Sequence, residues 1–322
     1  MTADTIPDLG LDLGPLDGPV LCFGGPYSNA QATEAVLAEA KARNIPPERT
    51  ICTGDVVAYC AEPEASIGLV RAAGIPVVMG NCEESLGFAA DDCNCGFAQD
   101  SDCQAWSDDW FAFATMMLDD DARAWMRGLP RQVRFTLGGR RFAVIHGGAE
   151  NISEYIFSST PIAAKANMID RLDVDAVIGG HSGLPFTQSL GPRVPDTQNI
   201  GPRVLDTQNI DTRLWHNPGA VGMPANDGTP RGWFSVITPV VTPGGDNGAG
   251  GLDIALHALD YDHEAAANAM RAALPDLPYA ETLSSGLWPN MAVMPEAERG
   301  LRGRPLAPGT VHWPGKVSAA AE

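Results

Sequence analysis

Four times along the chain, a short apolar run stops at a glycine that stands beside a polar side chain able to bind metal. This recurrence restricts the fold more than any other feature. The runs at 50–53, 75–79, 141–145 and 176–178 end at Gly54-Asp55, Gly80-Asn81, His146-Gly147-Gly148 and Gly179-Gly180-His181, and an earlier run at 20–23 ends at Gly24-Gly25-Pro26. Runs this short, bounded by glycine, read as buried strands. Helical patterns separate the first three. One starts with Ser28 and Gln31 at capping-box spacing, carries Ala32, Val36, Leu37 and Ala40 on one face, and stops before Pro46-Pro47. The next spans 63–73. Alternating strands and helices imply a largely parallel sheet with its ligand sites beyond the carboxyl ends of the strands. Asp55, Asn81, His146 and His181 occupy those ends.

After Asn81 an irregular, acidic, cysteine-bearing stretch runs to 103, followed by helical patterns at 106–118 and 122–126. A hairpin of strands 132–136 and 141–145 turns through Gly138-Gly139. Strands near Phe186 and Leu214 flank a tandem copy at 191–210, in which Leu205 replaces the Pro195 of the first copy. Two copies are too few for a solenoid, so the repeat reads as a loop-tip duplication. Strands at 233–241 and 252–259 follow, then a helix from His263. The expected organisation is an acidic Gly/Pro leader at 1–18 and a domain at 19–286, carrying the Cys-bearing loop 82–105 and the duplicated loop 191–210. An extended Pro- and Gly-rich arm at 287–322 completes it.

With 322 residues, 44% of them hydrophobic, the chain can bury a full core. A formal charge of −19 disfavours nucleic acid and anionic membranes as partners, because like charges repel at long range. The first residues lack the basic n-region of a secretory signal, and no run of about 18 apolar residues suggests a membrane span. Seven scattered cysteines suit reduced thiols better than a disulfide framework, so a cytoplasmic location is expected.

A carboxylate, an amide oxygen and two imidazoles make a ligand set suited to Zn, Mn or Fe. The neighbouring glycines let backbone approach a metal or phosphate closely. A lone histidine at a strand end is more often structural; four such residues in this order point to a metal centre.

The order and content of these motifs resemble the calcineurin-like metallophosphoesterase family, its small bacterial branch in particular, over residues 19 to 290. The matching segments are Gly54-Asp55-Val56-Val57-Ala58-Tyr59 with Pro63, Gly80-Asn81-Cys82-Glu83, His146-Gly147, Gly180-His181 and Asn217-Pro218-Gly219. The resemblance implies an α/β fold of layered central β-sheets flanked by helices, and metal-dependent hydrolysis of a phosphate mono- or diester. It also implies that Asp55, Asn81, His146 and His181 build the family's second metal position. The three further ligands of the first position fall on Gly25, Tyr27 and Gly183, and none of these matches. The expectation is therefore one divalent transition metal per chain, Mn, Fe or Zn, acting on a small phosphorylated substrate. A non-catalytic metal- or phosphate-binding protein on the same fold is the competing reading. No oligomeric state follows from the sequence.

Several residues keep two readings. Asn81 can contact phosphate as well as metal. Tyr27 is a phenolate ligand, a hydrogen-bond donor to phosphate, or an aromatic lining the cleft. Cys82 stands where many family members carry the histidine that protonates the leaving group, and is either that acid or a small packing residue. His216 enters the cleft or points into the sheet. Cys93, Cys95 and Cys103 lack CxxC spacing and form a metal or iron–sulfur site, a redox pair, or unrelated thiols. Cys22, Cys52 and Cys60 read as packing residues, and His257, His263 and His312 as structural.

Overall fold

The computed structural model describes residues 10–98, 100–192, 212–241 and 250–315. The chain opens with strands β1 (Gly10–Pro15) and β2 (Val20–Phe23), helix α1 (Ala30–Ala42), β3 (Thr50–Cys52) and α2 (Pro63–Ala73). Three helices follow, α3 (Asn81–Gly87), α4 (Asp102–Met117) and α5 (Asp120–Arg127), and then the hairpin of β4 (Gln132–Leu137) and β5 (Arg140–Ile145). Helix α6 (Ile162–Arg171) leads into β6 (Ala176–Ile178), β7 (Phe186–Pro192), β8 (Thr212–Asn217), β9 (Gly232–Pro239) and β10 (Leu252–Leu259). The remainder forms α7 (His263–Ala273), α8 (Tyr279–Ser285), α9 (Glu296–Arg299) and β11 (Gly309–Trp313).

The strands form two sheets, ordered β1-β4-β5-β6-β8-β7 and β11-β10-β9-β2-β3. Val20, Ile51, Phe135, Phe142, Ile254 and Trp313 share one apolar cluster between them. Fully burying one side chain of this size contributes roughly 1.5–3 kcal/mol. A second cluster joins the outer face of the five-stranded sheet to α1, α2 and α7, and a third packs α6 on the six-stranded sheet. The result is helices, two sheets and helices in layers. Among the described residues, no helix is long and apolar enough to cross a membrane.

The sheets are mixed, which corrects the expectation of a largely parallel one. β1–β4, β2–β3, β5–β6 and β6–β8 pair parallel, whereas β4–β5, β7–β8, β2–β9, β9–β10 and β10–β11 pair antiparallel. Short connections such as the one between β4 and β5 cannot make the crossover that a parallel pair requires.

The run at 75–79 contributes only an isolated bridge from Val77 to Cys52, because Pro76 has no N–H to extend the ladder. Helix α1 is capped by Asn29, whose Oδ1 accepts from the Ala32 N–H at 3.0 Å. Ser28 is one residue too early, and both it and Tyr27 adopt positive φ, 56° and 51°.

Both expected appendages contribute strands. Residues 10–15, read as leader, form an edge strand parallel to β4, with Leu13 and Leu16 against the inter-sheet core. The C-terminal arm ends in β11, the opposite edge of the other sheet. The duplicated loop 191–210 lies outside the described residues apart from its first two, as does the Gly-rich turn at 242–249.

Candidate metal centre

Asp55 follows β3, Asn81 opens α3, His146 leaves β5 and His181 lies three residues beyond β6. The carboxyl ends of strands from both sheets and the first turn of α3 therefore bring all four into one buried cluster, with His181 the most exposed at 8%. His146 Nε2 lies 3.2 Å from Asp55 Oδ2, 3.1 Å from Asn81 Oδ1 and 3.0 Å from His181 Nδ1. The Asp55, His146 and His181 ligand atoms all lie within 4.8 Å of one another.

The surrounding hydrogen bonds decide what these atoms present. His146 Nδ1 donates to the Thr53 carbonyl at 2.8 Å, so in the neutral ring Nε2 carries a lone pair. The Asn81 amide donates through Nδ2 to the Cys93 carbonyl at 2.8 Å, which turns its oxygen inward. With His146 in that neutral tautomer, the carboxylate, the amide oxygen and the imidazole lone pair face one another across 3.0–3.2 Å, an arrangement that a cation relieves. Separations of 3.0–3.2 Å are those that ligand bonds of about 2.1 Å subtend at roughly 90–100°. His181 Nε2 is buried without a partner. The donor set therefore fits a divalent transition metal.

Electrostatics follow from the packing. Burial pushes the Asp55 carboxyl up, but the neighbouring His146, its hydrogen bond and His181 outweigh this and hold it below the usual range. For His146, burial pushes down and Asp55 more than offsets it, giving a net rise. His181 is pushed down to about 3 by burial, with His146 adding to the effect.

Glu83 is the residue that the sequence reading underused. It is fully buried and accepts backbone N–H bonds from Asp55 at 2.8 Å, Gly80 at 3.0 Å and Val57 at 3.1 Å, fastening the Asp55 and Asn81 loops together. Burial, reinforced by Asp55, pushes its carboxyl up to about 7. Gly80 is required beside it, since a Cβ there would lie 2.2 Å from Asp55 Oδ1. The acid directly after Gly80-Asn81-Cys82 was only a partial signal, because two of its three backbone partners, Asp55 and Val57, lie more than 25 residues away. Tyr155 gave no signal at all, yet its ring centroid lies 4.3 Å from that of His181.

The Cys-bearing loop folds onto Asn81. Cys93 and Cys95 are disulfide-bonded and buried, which corrects the expectation of reduced thiols. The turn through Asn94, at φ 49°, curls the two cysteines onto each other. Cys103 is a separate free thiol in α4. Cys82 is fully buried; its N–H donates to Asp55 Oδ1 at 3.2 Å, and burial followed by Asp55 raises its thiol pKa well above the ordinary value. His216 points into the sheets, bonded to Thr187 Oγ1 at 2.9 Å and Ser235 Oγ at 2.7 Å, away from the cluster.

The sequence model of the calcineurin-like phosphoesterase superfamily domain matches residues 28–238. The chain belongs to this superfamily. Its members are generally metal-dependent hydrolases. A metallophosphoesterase from Sphaerobacter thermophilus superposes with a TM-score of 0.57 at 24% identity, covering 84% of this chain and 99% of that one. A hypothetical protein from Pyrococcus horikoshii OT3 gives 0.60 at 14% identity, covering 83% and 98%. Both likenesses concern the calcineurin-like fold. No curated protein matches.

The calcineurin-like frame also gives meaning to Tyr27. Its phenol covers Gly25 so closely that a Cβ on Gly25 would lie 2.4 Å from ring atoms Cε2 and Cζ. On its other side, a Cβ on Gly183 would lie 3.3 Å from the Tyr27 hydroxyl. One aromatic ring thus lies between the two glycines onto which missing ligands fall. Burial first, then Asp55, raises its pKa well above the ordinary value, so the phenol is neutral here.

Proposed function

We propose that this protein is a phosphoesterase that hydrolyses a small phosphate mono- or diester at a mononuclear metal site held by Asp55, Asn81, His146 and His181. The observation carrying this reading is the convergence of lone pairs from four side chains around His146 Nε2. A bound divalent cation, Mn, Fe or Zn, supplies Lewis acidity toward a phosphoryl oxygen and lowers the pKa of water.

The remaining roles belong to the chain. Thr53 and Cys93 carbonyls fix the orientations of His146 and Asn81, and Glu83 holds the loops that carry Asp55 and Asn81. Tyr27, neutral and beside the cluster, is placed to donate its hydroxyl proton toward a leaving oxygen. Cys82 is assigned to positioning Asp55, since its backbone N–H donates to Asp55 Oδ1 and its side chain is fully buried.

Metal content by plasma mass spectrometry, together with hydrolysis of a nitrophenyl phosphodiester, tests the reading. About one metal per chain is expected, lost in Asp55→Asn, with turnover falling roughly 100-fold or more. Absence of metal from the parent protein, or turnover unchanged in both Asp55→Asn and His146→Ala, would overturn it. One metal with phosphate binding but no turnover would support the binding-protein reading that the three missing ligands suggest.

A further inference from the structure

Next to the metal cluster lies a pocket whose walls are rings. Tyr59, Phe97, Trp106, Tyr155, Tyr279 and Trp288 line it, and His181 and Tyr27 join it to the cluster. The rings are braced against each other: Tyr59 meets Tyr279 edge-on at 5.2 Å and Tyr27 at 5.0 Å, and Trp106 meets Tyr279 at 6.5 Å. Among the described residues, no Asp, Glu, Lys or Arg lines it. Trp288 is fixed in place by its indole N–H, which donates to the Pro224 carbonyl at 2.6 Å, and by its backbone N–H, which donates to Asn226 Oδ1 at 2.8 Å.

These features select a ligand class. A nucleotide polyphosphate or phosphoprotein carries additional charges that need cationic partners, and none lines this pocket. Aromatic walls instead favour a planar ring, which gains edge-to-face contacts beyond the burial of its surface. The volume, about 90 Å³, is smaller than the roughly 150 Å³ apolar cavity that admits one benzene, so the pocket has no room for a second fused ring. That scale suits a single ring.

We infer that the pocket receives the ring of a monocyclic aryl phosphate ester while its phosphoryl end faces Asp55, His146 and His181. This specificity rests on the phosphoesterase reading above. In the reaction the P–O(aryl) bond breaks, a P–O bond to the oxygen of water forms, and the aryl oxygen takes up a proton, so ester plus water gives a phenol plus phosphate. Tyr59, Phe97, Trp106 and Tyr155 lie within the superfamily match, whereas Tyr279 and Trp288 lie beyond its end at 238, so the C-terminal part of the chain completes the ring-lined wall.

Calorimetric titration with two non-hydrolysable probes, phenylphosphonate and methylphosphonate, tests the inference on metal-loaded protein and on Asp55→Asn. Phenylphosphonate is expected to bind at least tenfold tighter than methylphosphonate in both proteins. Trp288→Ala should reduce that ratio to below threefold, and Trp288→Phe should restore most of it; circular dichroism checks that each variant is folded. A ratio within twofold in the parent, no detectable phenylphosphonate binding, or a ratio intact in both Trp288→Ala and Trp106→Ala would overturn the inference. Turnover of phenyl phosphate and ethyl phosphate on the same samples separates the two readings. Ring preference without hydrolysis of either ester defeats the phosphoesterase and spares the pocket. Equal hydrolysis of both without ring preference does the reverse.

Discussion

At the scale of single residues, the centre depends on side chains that never face a substrate. Glu83 accepts three backbone N–H bonds in full burial. Glu83→Gln replaces one acceptor oxygen by an NH₂ that opposes a backbone donor, so we expect a loss of about 1–3 kcal/mol in thermal unfolding and a lower metal content than the parent. Tyr27→Phe should slow turnover about tenfold to 100-fold for esters with poor leaving groups and far less for nitrophenyl esters, because only a poor leaving group needs the proton. His216 yields a pH prediction. Burial pushes it from 6.5 down to about 3 in the folded chain, against a smaller opposing effect of the Phe186 backbone. Between those values the unfolded chain binds a proton that the folded chain refuses, so stability is lost as pH falls from 6.5 toward 3 and is unaffected above. Denaturant titrations of His216→Asn should show a flatter acid limb. The positions of Asp55, Asn81, His146 and His181 were legible because each stands beside glycine where a short apolar run stops. His216 was ambiguous, since whether it entered the cleft depended on Thr187 and Ser235 from two other strands.

At the scale of elements, the loop between α3 and α4 serves as an anchor for Asn81 through the Cys93 carbonyl. With Cys93 and Cys95 joined, denatured protein should show five free thiols by mass-spectrometric alkylation without reductant, matching Cys22, Cys52, Cys60, Cys82 and Cys103, and two more after reduction. Elements that close around a regular pattern were readable: α2 and β6 begin and end where proline, glycine and apolar spacing place them. Those without such a pattern were missed. α3 spans only seven residues and starts with the ligand Asn81, so its sequence looked like an irregular loop. β1, Gly-Leu-Asp-Leu-Gly-Pro, offers too brief an alternation, and its pairing with β4 is supplied by a segment more than a hundred residues away. The helices α6 and α8 gave no expectation either, because their apolar faces make sense only against the sheet and against α7.

At the scale of the molecule, the last described residues hold the two sheets together. Trp313 is buried between them, packs edge-on to Phe142 at 5.9 Å, lies under the Arg140 guanidinium at 4.4 Å and donates to Thr212 Oγ1 at 2.7 Å. Trp313→Ala should cost about 3–5 kcal/mol in unfolding experiments, more than a residue near a free chain end would. Composition had suggested a trailing arm because proline and glycine dominate it, and a strand's contribution to an edge is visible only in its partner. The ring of Tyr27 lying on Gly25 also gives the site a direction in time. A side chain introduced at position 25 meets that ring at its first carbon, so a carboxylate there requires the phenol at position 27 to move or to be replaced first. The packing thus sets an order of change, in which position 27 gates position 25.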